Sequence, residues 1–184
     1  MTITELNQLD VKAARQAFLQ CCTAEAWVEK MLLVMPYDNV ETLSAQANNN
    51  WQGLSEADYL QAFEGHPKIG DVSSLREKYR ATEQLAAGEQ SGVNNATELS
   101  LIELKQLNDD YEDKFGFIFI VCATGKTAQQ MLSILALRIV NDRATELINA
   151  AEEQRKILQF RIEKMLTDSV NNTPQLNQKK EAKS

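Results

Sequence analysis

Thr97-Glu98-Leu99-Ser100-Leu101-Ile102-Glu103-Leu104-Lys105-Gln106-Leu107-Asn108-Asp109-Asp110-Tyr111-Glu112-Asp113-Lys114-Phe115-Gly116 decides the fold class. Leu104, Leu107, Tyr111 and Phe115 recur three and four residues apart, the spacing that lays apolar side chains along one face of an α-helix. Thr97 offers a capping oxygen at its start, and Gly116 closes it, because glycine readily takes the left-handed turn that follows many helices. The same periodicity runs outward in both directions, interrupted by only 7 Gly and 3 Pro in 184 residues. The expected class is all-α.

Towards the amino terminus, Asp10 caps a helix carrying Val11, Ala14, Phe18 and Cys22, and Trp27, Met31 and Met35 stripe a second that stops at Pro36. Asn39 caps a third helix running to Trp51. Ser55 caps a fourth, with Tyr59 and Phe63 on one face and Gly65 at its end. Ser74 to Tyr79 reads as helical, and Ala81 to Asn95, with Gly88 and Gly92, as a broken helix or ordered loop.

Towards the carboxyl terminus, Phe117-Ile118-Phe119-Ile120-Val121-Cys122-Ala123 is the one run with β character, and it lacks an obvious partner strand. Thr127 then caps a helix with Leu132, Leu135 and Ile139, and a long last helix spans about Asp142 to Leu166. These elements predict one multi-helix bundle over residues 1–169, with one short extended segment near 117–123. Residues 170–184 are polar and are expected to be a disordered tail.

The charge balance, 19 Lys and Arg against 26 Asp and Glu, gives −7 and argues against nucleic-acid or anionic-membrane partners, which need a basic footprint. Three cysteines, two of them adjacent, make a poor disulfide framework, and with one histidine they give no zinc-ligand spacing; no metal is expected. No run of 18 apolar residues and no signal-peptide pattern occur, so a cytoplasmic location is expected.

The sole histidine, His66, sits between Gly65 and Pro67 in a stiff loop, and an imidazole so held is a candidate acid or base. Leu147, Ala151, Leu158 and Met165 form the inward stripe of the last helix, and Arg161 falls among them, so its guanidinium should point inwards and need an anion, structural or substrate. Arg143 and Glu146 read as a structural i, i+3 pair. Glu89 and Gln90 stand side by side between Gly88 and Gly92. The 117–123 backbone is either a plain connector or a source of hydrogen bonds for a ligand.

Gly65-His66-Pro67-Lys68-Ile69-Gly70-Asp71, Gly88-Glu89-Gln90-Ser91-Gly92, Phe115 to Ala123 and the late Arg161, in this order and spacing, resemble the 2-oxo-4-hydroxy-4-carboxy-5-ureidoimidazoline (OHCU) decarboxylase family over roughly Leu6 to Leu166. The resemblance implies an all-α homodimer that needs no cofactor and converts a urate-oxidation product, a small ureide, to (S)-allantoin and carbon dioxide. It assigns His66 as catalytic acid or base, Glu89 as the carboxylate near it and Arg161 as the substrate-gripping cation. Pro67, Gln90 and the backbone of Phe119, Ile120, Val121, Cys122 and Ala123 become substrate contacts. Ala86 stands where many relatives carry serine, which puts one side-chain hydrogen bond to substrate in question. Two other readings stay open: an enzyme of the same fold acting on a related ureide, and a non-enzymatic helical adaptor.

Overall fold

Side-chain caps set most of the helix starts. Thr2 and Glu5 form a reciprocal capping box on α1 (Ile3–Asn7), a five-residue helix that the sequence periodicity does not reveal. Asp10 accepts the Ala13 amide at 2.8 Å and starts α2 (Val11–Cys21). After α3 (Glu25–Leu33), Asn39 accepts the Thr42 amide at 2.8 Å and starts α4 (Val40–Trp51). Ser55 and Asp58 box the start of α5 (Glu56–Glu64). Beyond α6 (Val93–Phe115), Thr127 and Gln130 box α7 (Ala128–Arg138), and Asp142 accepts the Thr145 amide at 2.8 Å ahead of α8 (Arg143–Thr167). Each cap meets an amide that has no partner inside its helix and contributes about 1 kcal/mol.

In this computed structural model the described residues are 1–66, 72, 73, 75, 76 and 93–167, and Val72, Ser73, Leu75 and Arg76 are also helical. The expectations for Ser74, for 77–92 and for the 170–184 tail lie outside them. Among the described residues there is no strand, so the all-α class stands. The 117–123 run is irregular chain between α6 and α7, bounded by Gly116 at φ 76° and Gly125 at φ 72°. With no second strand to pair with, its polar groups turn to side chains, as described below. Cys22 and Ile139 fall one residue beyond the helices expected to carry them, and two boundaries differ by more. α6 begins at Val93 rather than at Thr97, and α3 ends at Leu33, leaving Met35 beyond the helix it was expected to stripe.

The core gathers Phe18, Trp27, Tyr37, Trp51, Phe63, Tyr111 and Phe115 with aliphatic residues from α2 to α8. Both indoles are buried without losing their hydrogen bonds: Trp27 Nε1 donates to Ala47 O and Trp51 Nε1 to Ala151 O, each at 3.1 Å. The second bond ties α4 to α8, and α8 also packs on α2 and α5. That arrangement sets the carboxyl-terminal end of α5, where the histidine follows, against the middle of α8.

Gly65 closes α5 in the right-handed region, at φ −70°, and so is not there for a left-handed turn. It is there because space is lacking. A Cβ would lie 2.4 Å from Thr23 Oγ1 and 2.6 Å from Thr23 Cγ2, while that hydroxyl donates to Gln61 O at 2.8 Å and has little room to move. Gly65→Ala is therefore expected to cost about 1–3 kcal/mol, as overpacking does, with Thr23→Ala recovering part of the loss in urea denaturation. Equal stability of Gly65→Ala and the parent would contradict the close approach.

Candidate active site

His66 is the residue immediately after the α5 cap, and its amide donates to Phe63 O at 3.1 Å, so the helix end fixes its backbone. Its ring is half-buried and reaches α8. His66 Nε2 lies 2.5 Å from Gln154 Oε1, and Arg161 Nη2 lies 3.5 Å from His66 Nδ1. Gln154 and Arg161 stand seven residues apart on α8, two turns along one face, so a single helix grips both nitrogens of the imidazole.

Arg161 points inwards, as expected, and is half-buried. Its Nη1 donates to Cys21 O at 3.1 Å, and among the described residues no carboxylate pairs with it. A guanidinium holding only a carbonyl and an imidazole retains capacity for an anionic or carbonyl-bearing ligand. Burial pushes the neighbouring thiols up, Cys21 to about 12 and Cys22 to about 11, against the opposing pull of Arg161. They are neutral thiols and not nucleophiles. A thiol reagent at pH 8 is thus expected to label the folded chain at Cys122, which is partly exposed, and to reach Cys21 and Cys22 only on unfolding; rapid labelling of all three in the folded state would contradict this packing.

A cleft of about 350 Å³ is lined by His66 with Leu60, Phe63, Glu64, Glu112, Gly116, Phe117 and Ile118. Phe117 and Ile118 bring the start of the irregular segment to the histidine. Arg161 borders a second cleft of about 500 Å³ with Met1, Ala17, Gln20, Cys21, Lys164 and Met165. His66, which lines the first cleft, is in contact with Arg161, which lines the second. Pro67, Ala86, Glu89 and Gln90 lie outside the described residues.

The irregular segment is anchored by side chains from α7, from α8 and from the turn that precedes α7. Arg138 Nη1 donates to Ile120 O at 2.7 Å and its guanidinium lies 4.8 Å from the centre of the Phe119 ring. Cys122 N–H donates to Glu153 Oε2 at 2.7 Å, and Cys122 O accepts from Lys126 Nζ at 2.5 Å. Ala123 O accepts the Lys126 amide at 3.0 Å. The polar groups of Cys122 are thus already engaged. Among the described residues, no protein partner takes the amides of Phe119, Ile120, Val121 and Ala123, which can face a ligand.

Arg138 depends in turn on Glu146, which is fully buried. Arg138 Nε donates to Glu146 Oε1 at 2.7 Å, Asn141 Nδ2 to Oε2 at 2.8 Å, and the Tyr111 hydroxyl also donates to this carboxylate. Burial opposes ionisation of Glu146, but these hydrogen bonds prevail and hold its carboxyl below the usual range. The expected pair of Arg143 with Glu146 does not form. Arg143 pairs instead with Glu56 at 2.7 Å and donates to Phe115 O at 3.1 Å, because Glu146 faces the core one turn away.

Gln154, Glu153 and Arg138, which hold His66 and the irregular segment, were not singled out by the sequence patterns. Gln154 carried a usable signal: it lies three residues after Ala151 and four before Leu158, inside the inward stripe. A buried amide needs a partner there, and its Oε1 has one in His66.

The chain is an all-helical bundle that holds one imidazole between a buried amide and a guanidinium, beside a small cleft. The sequence pattern of the OHCU decarboxylase family matches residues 7–163, and the chain belongs to that family. It is 31% identical over 148 residues to the uric acid degradation bifunctional protein TTL of Arabidopsis thaliana, covering 80% of this chain and 46% of that one. It is 25% identical over 166 residues to the 2-oxo-4-hydroxy-4-carboxy-5-ureidoimidazoline decarboxylase of Halalkalicoccus jeotgali, covering 90% and 92%. A crystal structure of OHCU decarboxylase in the presence of (S)-allantoin superposes with a TM-score of 0.64 at 31% identity, covering 82% of this chain and 97% of that one. The chain spans about half the length of the Arabidopsis protein and about a third of two Bacillus relatives described as uric acid degradation bifunctional proteins.

Proposed function

We propose that the chain decarboxylates 2-oxo-4-hydroxy-4-carboxy-5-ureidoimidazoline to (S)-allantoin and carbon dioxide, a step of urate breakdown. The observation that carries this reading is the grip on His66 by Gln154 and Arg161 in a chain that aligns with nearly the whole of a decarboxylase crystallised with that product.

The chemistry suits these residue types. Losing carbon dioxide leaves an electron pair on the ring carbon, and the adjacent imine and carbonyl system of the substrate takes it up, so the reaction as proposed uses no cofactor. Arg161 and the open amides of the 119–123 segment stabilise the developing oxyanion, a contribution on the order of 3 kcal/mol for one well-placed donor. His66 moves the proton that completes the product on one face, which sets its configuration. Glu89 tunes the imidazole, Pro67 and Gln90 contact the substrate, and Ala86 forgoes the hydrogen bond that a serine would give. The reading extends to a homodimer acting in the cytoplasm. Among the described residues no helix is long and apolar enough to cross a membrane.

The experiment is substrate comparison. The labile ureide, carrying a 13C-labelled carboxylate, is generated in place by urate oxidase and hydroxyisourate hydrolase, and labelled carbon dioxide is followed with and without the chain. Acceleration for this ureide, and none for stable ureides such as allantoate, supports the proposal. Acceleration only for a different ureide contradicts it.

A further inference from the structure

Gln154 is fully buried, yet its Nε2 has no hydrogen-bond partner among the described residues. A leucine or methionine of similar size would avoid leaving that amide nitrogen unpaired, so the polar side chain must be retained for its oxygen. That oxygen stands 2.5 Å from His66 Nε2. On the other side of the ring, Arg161 carries only donors, and its Nη2 faces Nδ1 at 3.5 Å.

One arrangement satisfies both contacts: the ring proton stands on Nε2 and is donated to Gln154 Oε1, and the Nδ1 lone pair faces the guanidinium. We infer that Gln154 is a positioning residue that locks His66 in the Nε2–H tautomer and leaves Nδ1 as its basic atom. The inference rests on His66 being the acid–base group of the reaction. The opposite amide orientation would turn an N–H towards Nε2 and force the ring proton onto Nδ1, against the donors of Arg161. Gln154 therefore acts through His66 and need not touch the substrate.

The chain has one histidine, so its imidazole nitrogens give a single pair of 15N signals that need no assignment. At a pH well above the ordinary histidine value of about 6.5, the parent protein is expected to show a proton on Nε2 and a pyridine-like Nδ1. In Gln154→Met both signals should move towards the averaged values of freely exchanging tautomers. Its kcat should fall on the order of 10- to 100-fold, by analogy with losing the partner that orients a metal-bound histidine, with KM within about twofold. Gln154→Glu keeps an acceptor and should keep the Nε2–H signature. A proton on Nδ1 in the parent, or ring signals unchanged in Gln154→Met, overturns the inference. If Gln154→Met fails to fold, the parent and Gln154→Glu spectra decide it. Because the ring signals are read without turnover, a failure of the proposed reaction remains distinguishable from a failure of the tautomer lock.

Discussion

His66→Asn leaves the helical bundle and its assembly state unchanged and lowers turnover on the order of 10²- to 10⁴-fold, the range that a positioned proton-transfer group contributes. Asparagine retains a hydrogen-bonding group towards Gln154 but cannot exchange a proton near neutrality. The backbone is held by the His66 amide donating to Phe63 O, a bond that the substitution does not alter. Far-ultraviolet circular dichroism and gel filtration test the first half, and initial rates the second. Near-parental turnover in a folded His66→Asn variant would remove the histidine from the chemistry.

Arg138→Met carries the largest expected loss of stability, about 3–5 kcal/mol, because it strands the buried Glu146 carboxylate without its cation. The same substitution releases Ile120 O and the Phe119 ring, so it should also loosen the segment that borders the histidine cleft. The double variant Arg138→Met with Glu146→Leu should recover much of the loss, since it removes both the charge and its desolvation cost. A pH series fixes the sign. Glu146 has its folded pKa depressed, so its contribution is fully present above the unfolded value of about 4.3 and is lost as pH falls through the folded value. The parent should therefore lose stability below about pH 4.3 more steeply than the double variant. An unfolding free energy for Arg138→Met, from urea denaturation, within about 1 kcal/mol of the parent's would contradict the network's assigned part in stability.

Local rules made most of the fold legible. Asp10, Asn39, Ser55 and Thr127 cap the helices expected of them, and Gly116 takes its positive φ at the end of α6. α1 escaped because five residues carry too little periodicity to register. α6 starts four residues before Thr97 because adding residues to an existing helix costs little compared with nucleating one, which outweighs the weak preference of Asn94 and Asn95.

In the site, Arg161 was legible because a charge inside an apolar stripe is conspicuous. Gln154, in the same stripe, was not: glutamine is unremarkable on a helix, and its partner stands 88 residues earlier in the chain. Glu146 was misassigned for a similar reason. An acid in the first turn of a helix ordinarily answers the helix dipole, and only the tertiary approach of Arg138 and Tyr111 makes it a buried hub. The 117–123 run shows the limit of composition: its β-branched and aromatic residues favour extended chain, but without a second strand it is held by Arg138, Glu153 and Lys126.

The most direct test of the central claim follows optical activity while the labile ureide is generated in place by urate oxidase and hydroxyisourate hydrolase, with the parent chain, with His66→Asn, and with neither. Spontaneous decay gives racemic allantoin and no dichroic signal. Rapid growth of an (S)-allantoin signal with the parent alone is the predicted result, and a parent trace that follows the uncatalysed control would contradict the account.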